Sequence, residues 1–429
     1  MSETMKNEYS PMQTLIRLVV AGARGEEIND LQVDWSLVLP LAAEQHVQPL
    51  VACALLHSPE MECPAELREY LLNAMRAESS VNLIRRQRIM QLLTEMKDAG
   101  IDTKVLKGYA ISSCYTHPEC RGSVDTDLLI DVKQEEAAIA LLESKGFHVS
   151  IRGATSHHSV CQHKKYGMLE LHVALYAELI RDVWYGAVSE ADLVKESCIE
   201  SMDEYGQFVT LGYTDHLIFL TLHMIKHFIL EGLTVRMMLD LALFFSRYRD
   251  SIDSKRYWCI MNKLKYSRLV NCVLWSMIIH GGFDIEAFPG IMSDAPEKMP
   301  LILADLIQGG YMGVKEKEER HKSGMEYNRQ MLLKEKNQWQ YALFMIHWKV
   351  KSGLNAMFPS FHKLRRKYPC AERNRLLLPF IWVYHVCSFP IQNRHKIAPG
   401  KDIQWDGHSE NTIVRKRLEL FRQLDMLDK

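Results

Sequence analysis

The stretch RGSVDTDLLID, from Arg121 to Asp131, decides how the rest of the chain is interpreted. It places Asp125 and Asp127 one residue apart at the start of the apolar run Leu-Leu-Ile. Residues i and i+2 of a strand point to the same face, so the two carboxylates would project side by side and repel each other. The stretch is therefore either a turn that leads into a strand or a strand that offers two oxygen ligands to a cation such as Mg²⁺.

Short predicted strands alternate with helices around this stretch. A helix is expected over VKQEEAAIALLESKG, closed by Gly146, and KKYG is a plausible hairpin turn. The segments that favour strands are IDTKVL, VDTDLLID, FHVSIRG, SHHSVCQH and MLELHVAL. Alternation of this kind over about 100 residues indicates a small α/β unit.

Helical apolar spacing dominates the rest of the chain. Asp34 is the expected N-cap of an early helix, and the charged segment 314–324 is expected to be an exposed linker or helix end. We predict an α+β fold in which a small mixed β-sheet core is embedded in mostly helical regions. The predicted divisions are an N-terminal helical region at 1–95, the sheet core at 96–205, a helical domain at 206–313 and a C-terminal helical region at 325–429.

Composition limits the classes of protein to consider. The 429 residues are 47% hydrophobic and 24% charged, which is an ordinary globular balance, and the net charge of −1 gives no general attraction to nucleic acid. The ten cysteines include no CxxC pair, and the polar N-terminus does not resemble a signal peptide. The apolar stretch 376–389 is too short to span a bilayer, and a buried helix is expected there. These features predict a cytoplasmic protein with reduced thiols and no membrane partner.

A third carboxylate strengthens the case for a cation site. In MLELHVAL, Leu169 and Leu171 face one way, whereas Glu170 and His172 face the other. Two aspartates on one strand and a third acid on a neighbouring strand are how two-metal sites for phosphoryl and nucleotidyl transfer are built. The alternative for Glu170 is an exposed strand residue.

Two histidine-rich segments are weaker candidates. His223 and His227 lie at i and i+4 of a predicted helix beside Lys226, but Met224 replaces the glutamate of a zinc-protease HExxH motif. That face either lines a cleft or packs against the α/β unit. In HHSVCQH, His157, Cys161 and His163 would share one face of a strand, so a metal site is geometrically allowed, and an exposed or cleft-lining hairpin is the alternative.

Several motifs, in order, resemble an uncharacterised bacterial nucleotidyltransferase family of the DNA polymerase β-like superfamily. VLKGYAISSCYTHPECRGSVDTDLLID is similar to its LKG…RxxxDxD block, and LELH looks like its third-carboxylate strand. LHMIKHFILEGLTVRMMLDLALFF resembles its later helical block. The resemblance covers about residues 10–245. Val124 and Gly122 depart from the Gly and Pro that the family often has there.

The resemblance implies a nucleotidyltransferase that uses Mg²⁺ or Mn²⁺ and a nucleoside triphosphate, with ATP the expected donor, and releases pyrophosphate. It implies that Asp125 and Asp127 bind the metals and that Glu170 is the third acid, which orients or deprotonates the attacking group. The acceptor would be a small molecule, a protein or an RNA end.

The resemblance also implies a set of nucleotide-contacting residues. Lys107 and Gly108 occupy the place of the superfamily's Gly-Ser turn at a helix N-terminus, where phosphate is favoured. Arg121 matches the family's arginine and could hold phosphate as a fork. The set is completed by His223, Lys226, His227 and Asp240, and Arg236 is expected to pair with Asp240.

Two other functions remain open at this point. One is a catalytically inactive protein that binds a nucleotide or a partner on the same fold. The other is a helical interaction protein in which the α/β unit is only a scaffold. Three aligned carboxylates argue against the first of these, because an inactive site does not need them.

Overall fold

The computed structural model describes most of the chain, including all of the predicted sheet region except positions 124, 153–155 and 204–205. The described residues are 3–28, 30–123, 125–152, 156–203, 206–335, 377–392 and 412–428, together with the single positions 340, 343, 364 and 368. Much of the predicted C-terminal helical region lies outside these residues.

One seven-stranded mixed sheet forms the centre of the α/β unit. Its strands are β1 (Lys104–Val105), β2 (Asp125–Leu129), β3 (His148–Ser150), β4 (His158–His163), β5 (Gly167–His172), β6 (Ile199–Asp203) and β7 (Gly206–Thr210). The order across the sheet is β3-β4-β5-β2-β1-β7-β6. β2 runs parallel to β5 and antiparallel to β1, and β4 and β5 form the expected hairpin. The predicted α+β fold is therefore confirmed.

The helices surround this sheet and account for most of the described chain. They are α1 (Glu3–Arg24), α2 (Trp35–Glu44), α3 (Gln48–His57), α4 (Ala65–Asp98), α5 (Tyr109–Ser112), α6 (Glu135–Ser144), α7 (Glu178–Trp184), α8 (Glu190–Leu193), α9 (Tyr213–Leu230), α10 (Val235–Arg247), α11 (Ser254–Lys263), α12 (Ser267–Ser276), α13 (Met299–Gly309), α14 (Lys317–Glu335), α15 (Leu378–Gln392) and α16 (Thr412–Gln423). Asp34 caps α2 as expected, accepting a hydrogen bond from the Ser36 amide. None of the described helices has the length and apolar character needed to cross a membrane.

Two large apolar clusters hold these elements together. The alternating leucines Leu169 and Leu171 are buried with residues of α4 and α6 in the cluster beneath the sheet. A second cluster joins α1 and α3 to α9–α14 and α16. The helices that precede and follow the sheet in the sequence therefore share one core, in which their apolar stripes pack against one another.

Three expectations need correction. The segment 314–324 is a helix end rather than a linker, since it contains the start of α14, but it is not wholly exposed, because its Arg320 is buried at 1% exposure against Asp305 and Glu316. α15 forms within the apolar stretch, but it is not wholly buried, since Phe380 and Val383 are exposed. The hairpin of β6 and β7 was not expected, and it extends the sheet to Thr210, beyond the predicted limit of 205.

Candidate active site

The carboxylates come together because β2 and β5 are parallel neighbours in register. Asp127 lies directly opposite Glu170, and Leu129 lies opposite His172. Asp127 is fully buried, whereas the side chains of Asp125 and Glu170 keep about a quarter and a fifth of their surface exposed. The sheet therefore brings the predicted acids to one face, with Asp127 deepest.

Lys107 lies between the two aspartates. Its Nζ is 3.4 Å from Asp125 Oδ2 and 3.1 Å from Asp127 Oδ2. Burial alone would lower the pKa of Lys107, but Asp127 and Asp125 more than compensate and raise it, so the side chain stays an ammonium ion. This cation offsets the repulsion that two adjacent carboxylates would otherwise suffer.

His172 contacts Asp127, although it was not among the site residues predicted from the sequence. Its Nε2 lies 3.0 Å from Asp127 Oδ1 and 3.4 Å from Glu170 Oε2. Burial lowers the pKa of His172, but hydrogen bonds to the two carboxylates reverse this and raise it. The alternation in LELH already placed His172 on the face of Glu170, and the parallel register that brings it to Asp127 was not readable.

The two acids that face each other, Asp127 and Glu170, remain ionised. Burial raises the pKa of Asp127, but Lys107 and His172 lower it further, so the net shift is downward. For Glu170, burial is again outweighed, by the hydrogen bond from His172 and the charge of Lys107, and its pKa falls to about 2. Glu170 is thus a weak base, better suited to orienting an acceptor than to holding its proton.

The residues present fit a divalent cation. Asp127 Oδ2 is buried and has no hydrogen-bond donor aligned with it among the described residues, although the Lys107 ammonium lies 3.1 Å away. Ligand atoms of Asp127, Glu170 and His172 lie within 4.8 Å of one another. Hard cations prefer carboxylate oxygens, and a lysine ammonium already occupies the position between the aspartates.

Gly108 follows Lys107 and turns the chain into α5. Its φ of 65° is in the left-handed region that favours glycine, and its carbonyl accepts the first amides of the helix. The helix is only four residues long, about a single turn. The helix dipole available to a phosphate at Lys107-Gly108 is correspondingly small, so the contribution of Lys107 would come from its own charge.

Arg121 and Asp240 form a buried ion pair with each other. Arg121 donates two hydrogen bonds to Asp240, at 2.8 and 2.7 Å, and Tyr115 donates a third at 2.6 Å. Two guanidinium nitrogens are therefore engaged, which leaves Nη1 for any phosphate contact. Arg236 does not pair with Asp240 as expected, but donates to the carbonyl of Gly122 at 2.6 Å.

A cleft of about 390 Å³ opens beside the carboxylates. Glu170, His172, His223 and Lys226 form its polar part, so α9 does present its polar face to this cleft. His227 contacts His223, nitrogen to nitrogen, at 3.0 Å and also pairs with Glu231. The rest of the lining is apolar or aromatic: Leu175, Tyr176, Ala177, Ile180, Tyr185, Phe219 and Leu222, with His157 at its edge.

A second cleft of about 340 Å³ lies around Gly108 and Arg121. Arg85 and Arg86, from the middle of α4, contribute to its wall. Arg85 donates to the Ser123 carbonyl at 3.0 Å, and Arg86 donates to Ser112 Oγ at 2.6 Å. These arginines come from a predicted helix about 40 positions before the aspartates, and no motif marked them.

Two aspartates on one strand and a glutamate on its parallel neighbour, within a small mixed sheet, are the arrangement expected of a nucleotidyltransferase core. The chain belongs to the family described as "Uncharacterised nucleotidyltransferase", which it matches over residues 32–277, more than half of its length. The match confirms the resemblance predicted from the sequence. No curated protein and no solved structure matches the chain.

Proposed function

We propose that the protein is a divalent-metal-dependent nucleotidyltransferase that moves a nucleotidyl group from a nucleoside triphosphate to an acceptor and releases pyrophosphate. Family membership supports nucleotidyl transfer in general. The observation that carries the specific proposal is the position of the Lys107 ammonium between Asp125 and Asp127. Glu170 lies directly opposite Asp127 on the neighbouring strand. A buried site that already binds one positive charge through oxygen ligands is suited to a divalent cation.

Asp125, Asp127 and Glu170 would hold Mg²⁺ or Mn²⁺, which when bound would neutralise phosphate charge and polarise the phosphorus under attack. Asp127 keeps its orientation because His172 donates to its Oδ1 and leaves Oδ2 for the cation. Glu170, ionised at neutral pH, would orient the acceptor hydroxyl. Lys107, once it is released from the aspartates, would pair with a phosphate oxygen.

The cleft beside these acids would receive the organic part of the substrate. Aromatic and aliphatic side chains, among them Tyr176, Ile180 and Phe219, line it on one side of Glu170. Such a lining suits a flat ring such as a nucleobase, with Lys226 and His223 as polar partners. Donor ATP and a small acceptor are the substrates that we propose first, ahead of a protein side chain or an RNA end.

Pyrophosphate release tests this proposal. Wild-type protein is incubated with Mg²⁺ or Mn²⁺ and each labelled triphosphate, alone and with pooled small-molecule, protein and RNA acceptors. We expect metal-dependent pyrophosphate release or label transfer that is lost in Asp125→Asn and Asp127→Asn. Asp102→Asn, at an exposed position outside the site, is the matched control and should behave as wild type.

The alternative is an inactive protein that binds a nucleotide or a partner on the same fold. It predicts metal-dependent nucleotide binding without pyrophosphate release under every condition. If wild type neither turns over nor binds any metal–nucleotide, the enzyme proposal fails together with the nucleotide-binding alternative.

A further inference from the structure

Three histidine rings meet at the edge of the cleft. His158 begins β4 directly opposite His172, at the end of β5, and His157 precedes it. The ring centroids are 4.8 Å apart for His157–His158, 5.1 Å for His157–His172 and 5.0 Å for His158–His172. One ring nitrogen of each residue lies within 4.8 Å of the other two.

Buried nitrogens without partners point to a missing ligand at this cluster. Among the described residues, neither His158 Nδ1 nor His172 Nδ1 has a hydrogen-bond partner, although both atoms are inaccessible to solvent. His172 is only 4% exposed. A buried polar nitrogen without a partner costs free energy, so its retention calls for an explanation such as an ion.

The protonation of His172 follows from its other contact. Its Nε2 faces Asp127 Oδ1 at 3.0 Å, and an ionised carboxylate only accepts, so Nε2 carries the proton in this contact. In a neutral His172 with its proton on Nε2, the lone pair that can bind a metal ion is on Nδ1. A carboxylate that holds the far nitrogen of a histidine is the usual orientation of a metal-ligating imidazole.

We propose that His157, His158 and His172 form a second cation site, specific for a transition metal such as Zn²⁺ or Co²⁺ and distinct from the oxygen site at the aspartates. Imidazole nitrogen suits Zn²⁺ and Co²⁺, whereas Mg²⁺ takes oxygen ligands. Glu170 Oε1 lies 3.9 Å from His158 Nε2, on the side of the ring away from the unpartnered Nδ1, so it is placed to orient that ring rather than to bind the ion.

The surrounding charges are compatible with such an ion. Asp127 and Glu170 contribute two negative charges next to His172, and they favour positive charge on that ring, whether a proton or a metal ion. Lys226 disfavours positive charge on His157 and His158.

The site differs from the one that the sequence alone allowed. HHSVCQH suggested that His157, Cys161 and His163 share a strand face. Cys161 is instead fully buried in the apolar cluster beneath the sheet, and His163 packs against Phe147 and Tyr166. β5 supplies the third histidine, which no local spacing could show.

Cobalt binding to chelator-treated full-length protein tests the proposal. Co²⁺ alone is titrated in excess Mg²⁺, which saturates carboxylate sites but does not compete for imidazole. We expect one equivalent of Co²⁺ with the visible absorption of nitrogen ligation and no thiolate charge-transfer band. His157→Gln/His158→Gln should weaken binding about 100-fold or more, because changes to outer-shell partners alone cost 10–100-fold.

Two controls separate this site from others. His148→Gln, at an exposed position on β3, should bind Co²⁺ as wild type does. Asp125→Asn should also retain the cobalt band, because Asp125 is not among the residues whose ligand atoms cluster with these histidines. The cobalt test therefore does not depend on whether this variant has lost nucleotidyl transfer. If the double variant does not fold, His157→Gln alone is compared, with a weakening of about tenfold expected.

Absence of Co²⁺ and Zn²⁺ binding in wild type would overturn the proposal. It would equally be overturned if the histidine variants retained the cobalt band unchanged. Neither result would bear on pyrophosphate release, which depends on the carboxylates.

Discussion

Arg121 and Asp240 lie 119 positions apart and form a two-point ion pair, with Nε to Oδ1 at 2.8 Å and Nη2 to Oδ2 at 2.7 Å. The pair joins the loop before β2 to α10, and Tyr115 adds a hydrogen bond to the same carboxylate. The neighbouring carbonyl of Gly122 is held by Arg236, also from α10. The helical core thereby fixes the loop from which the two aspartates emerge.

Removing this pair should destabilise the protein strongly. Asp240→Ala leaves the buried guanidinium of Arg121 without its counter-charge, and we expect the free energy of unfolding to fall by about 3–5 kcal/mol. Urea unfolding measures the change. Asp428→Ala, which removes exposed pairs with Lys265 and Lys334, should cost about 1 kcal/mol or less. Equal effects of the two variants would show that the Arg121–Asp240 pair does not hold the loop.

Lys107 should compete with metal for the aspartates. Replacing it with methionine removes a cation 3.1–3.4 Å from both carboxylates, so we expect Lys107→Met to bind Mn²⁺ alone about tenfold more tightly, or about 1.4 kcal/mol. The same variant should lose turnover, because no ammonium remains to pair with phosphate. Mn²⁺ titration followed by electron paramagnetic resonance measures the first effect. Weaker Mn²⁺ binding than in wild type would contradict the idea that Lys107 occupies the cation position.

The cleft beside Glu170 should be sensitive to filling. Ile180→Trp places a larger side chain in the lining of this cleft, and we expect the KM of the substrate that binds there to rise about tenfold or more, with Mn²⁺ affinity unchanged. Ile279→Trp, at a half-exposed position outside the cleft, is the matched control. An unchanged KM for both donor and acceptor would remove this cleft from the substrate path.

A buried charge network should make stability depend on acid pH. Asp305 accepts from Arg320 at 3.0 Å and from Arg417 at 2.6 Å, and ties α13 to α14 and α16. Burial raises the pKa of Asp305, but the two arginines lower it below its ordinary value of 3.8. Because the folded pKa is depressed, this stabilisation is fully present above about pH 4 and is lost as pH falls through the folded pKa.

The variant Asp305→Asn tests this dependence. It should lower the free energy of unfolding at pH 7 by about 3–5 kcal/mol and should flatten the acid limb of the stability curve. Glu318→Gln, on the exposed side of α14, should leave both unchanged. An acid limb as steep in Asp305→Asn as in wild type would assign the pH dependence to other groups.

Much of the site could be predicted from local patterns. Alternation in VDTDLLID and LELH put the three acids on strand faces, and the structure aligns those strands in parallel register. Of the α9 residues that were predicted to contact nucleotide, His223 and Lys226 line the cleft, whereas His227 contacts His223 instead. In each case the side-chain direction follows from backbone periodicity alone.

Contacts set by distant parts of the chain could not be predicted. His158 meets His172 only because the hairpin register places them opposite each other. Arg121 was expected to hold phosphate, and its partner Asp240 lies on a helix that reaches it through packing of the core. Arg320 looked solvated within a highly charged segment, but two remote helices bury it against Asp305.

The central claim is that Asp125, Asp127 and Glu170 hold the divalent ion that carries the nucleotide. Anomalous diffraction from crystals grown with Mn²⁺ and a non-hydrolysable triphosphate tests it most directly. We predict a Mn²⁺ peak about 2.0–2.2 Å from carboxylate oxygens of Asp125 and Asp127, bridged to phosphate, with Lys107 moved away from the aspartates. A Mn²⁺–triphosphate bound elsewhere, with Lys107 still between Asp125 and Asp127, would contradict the account.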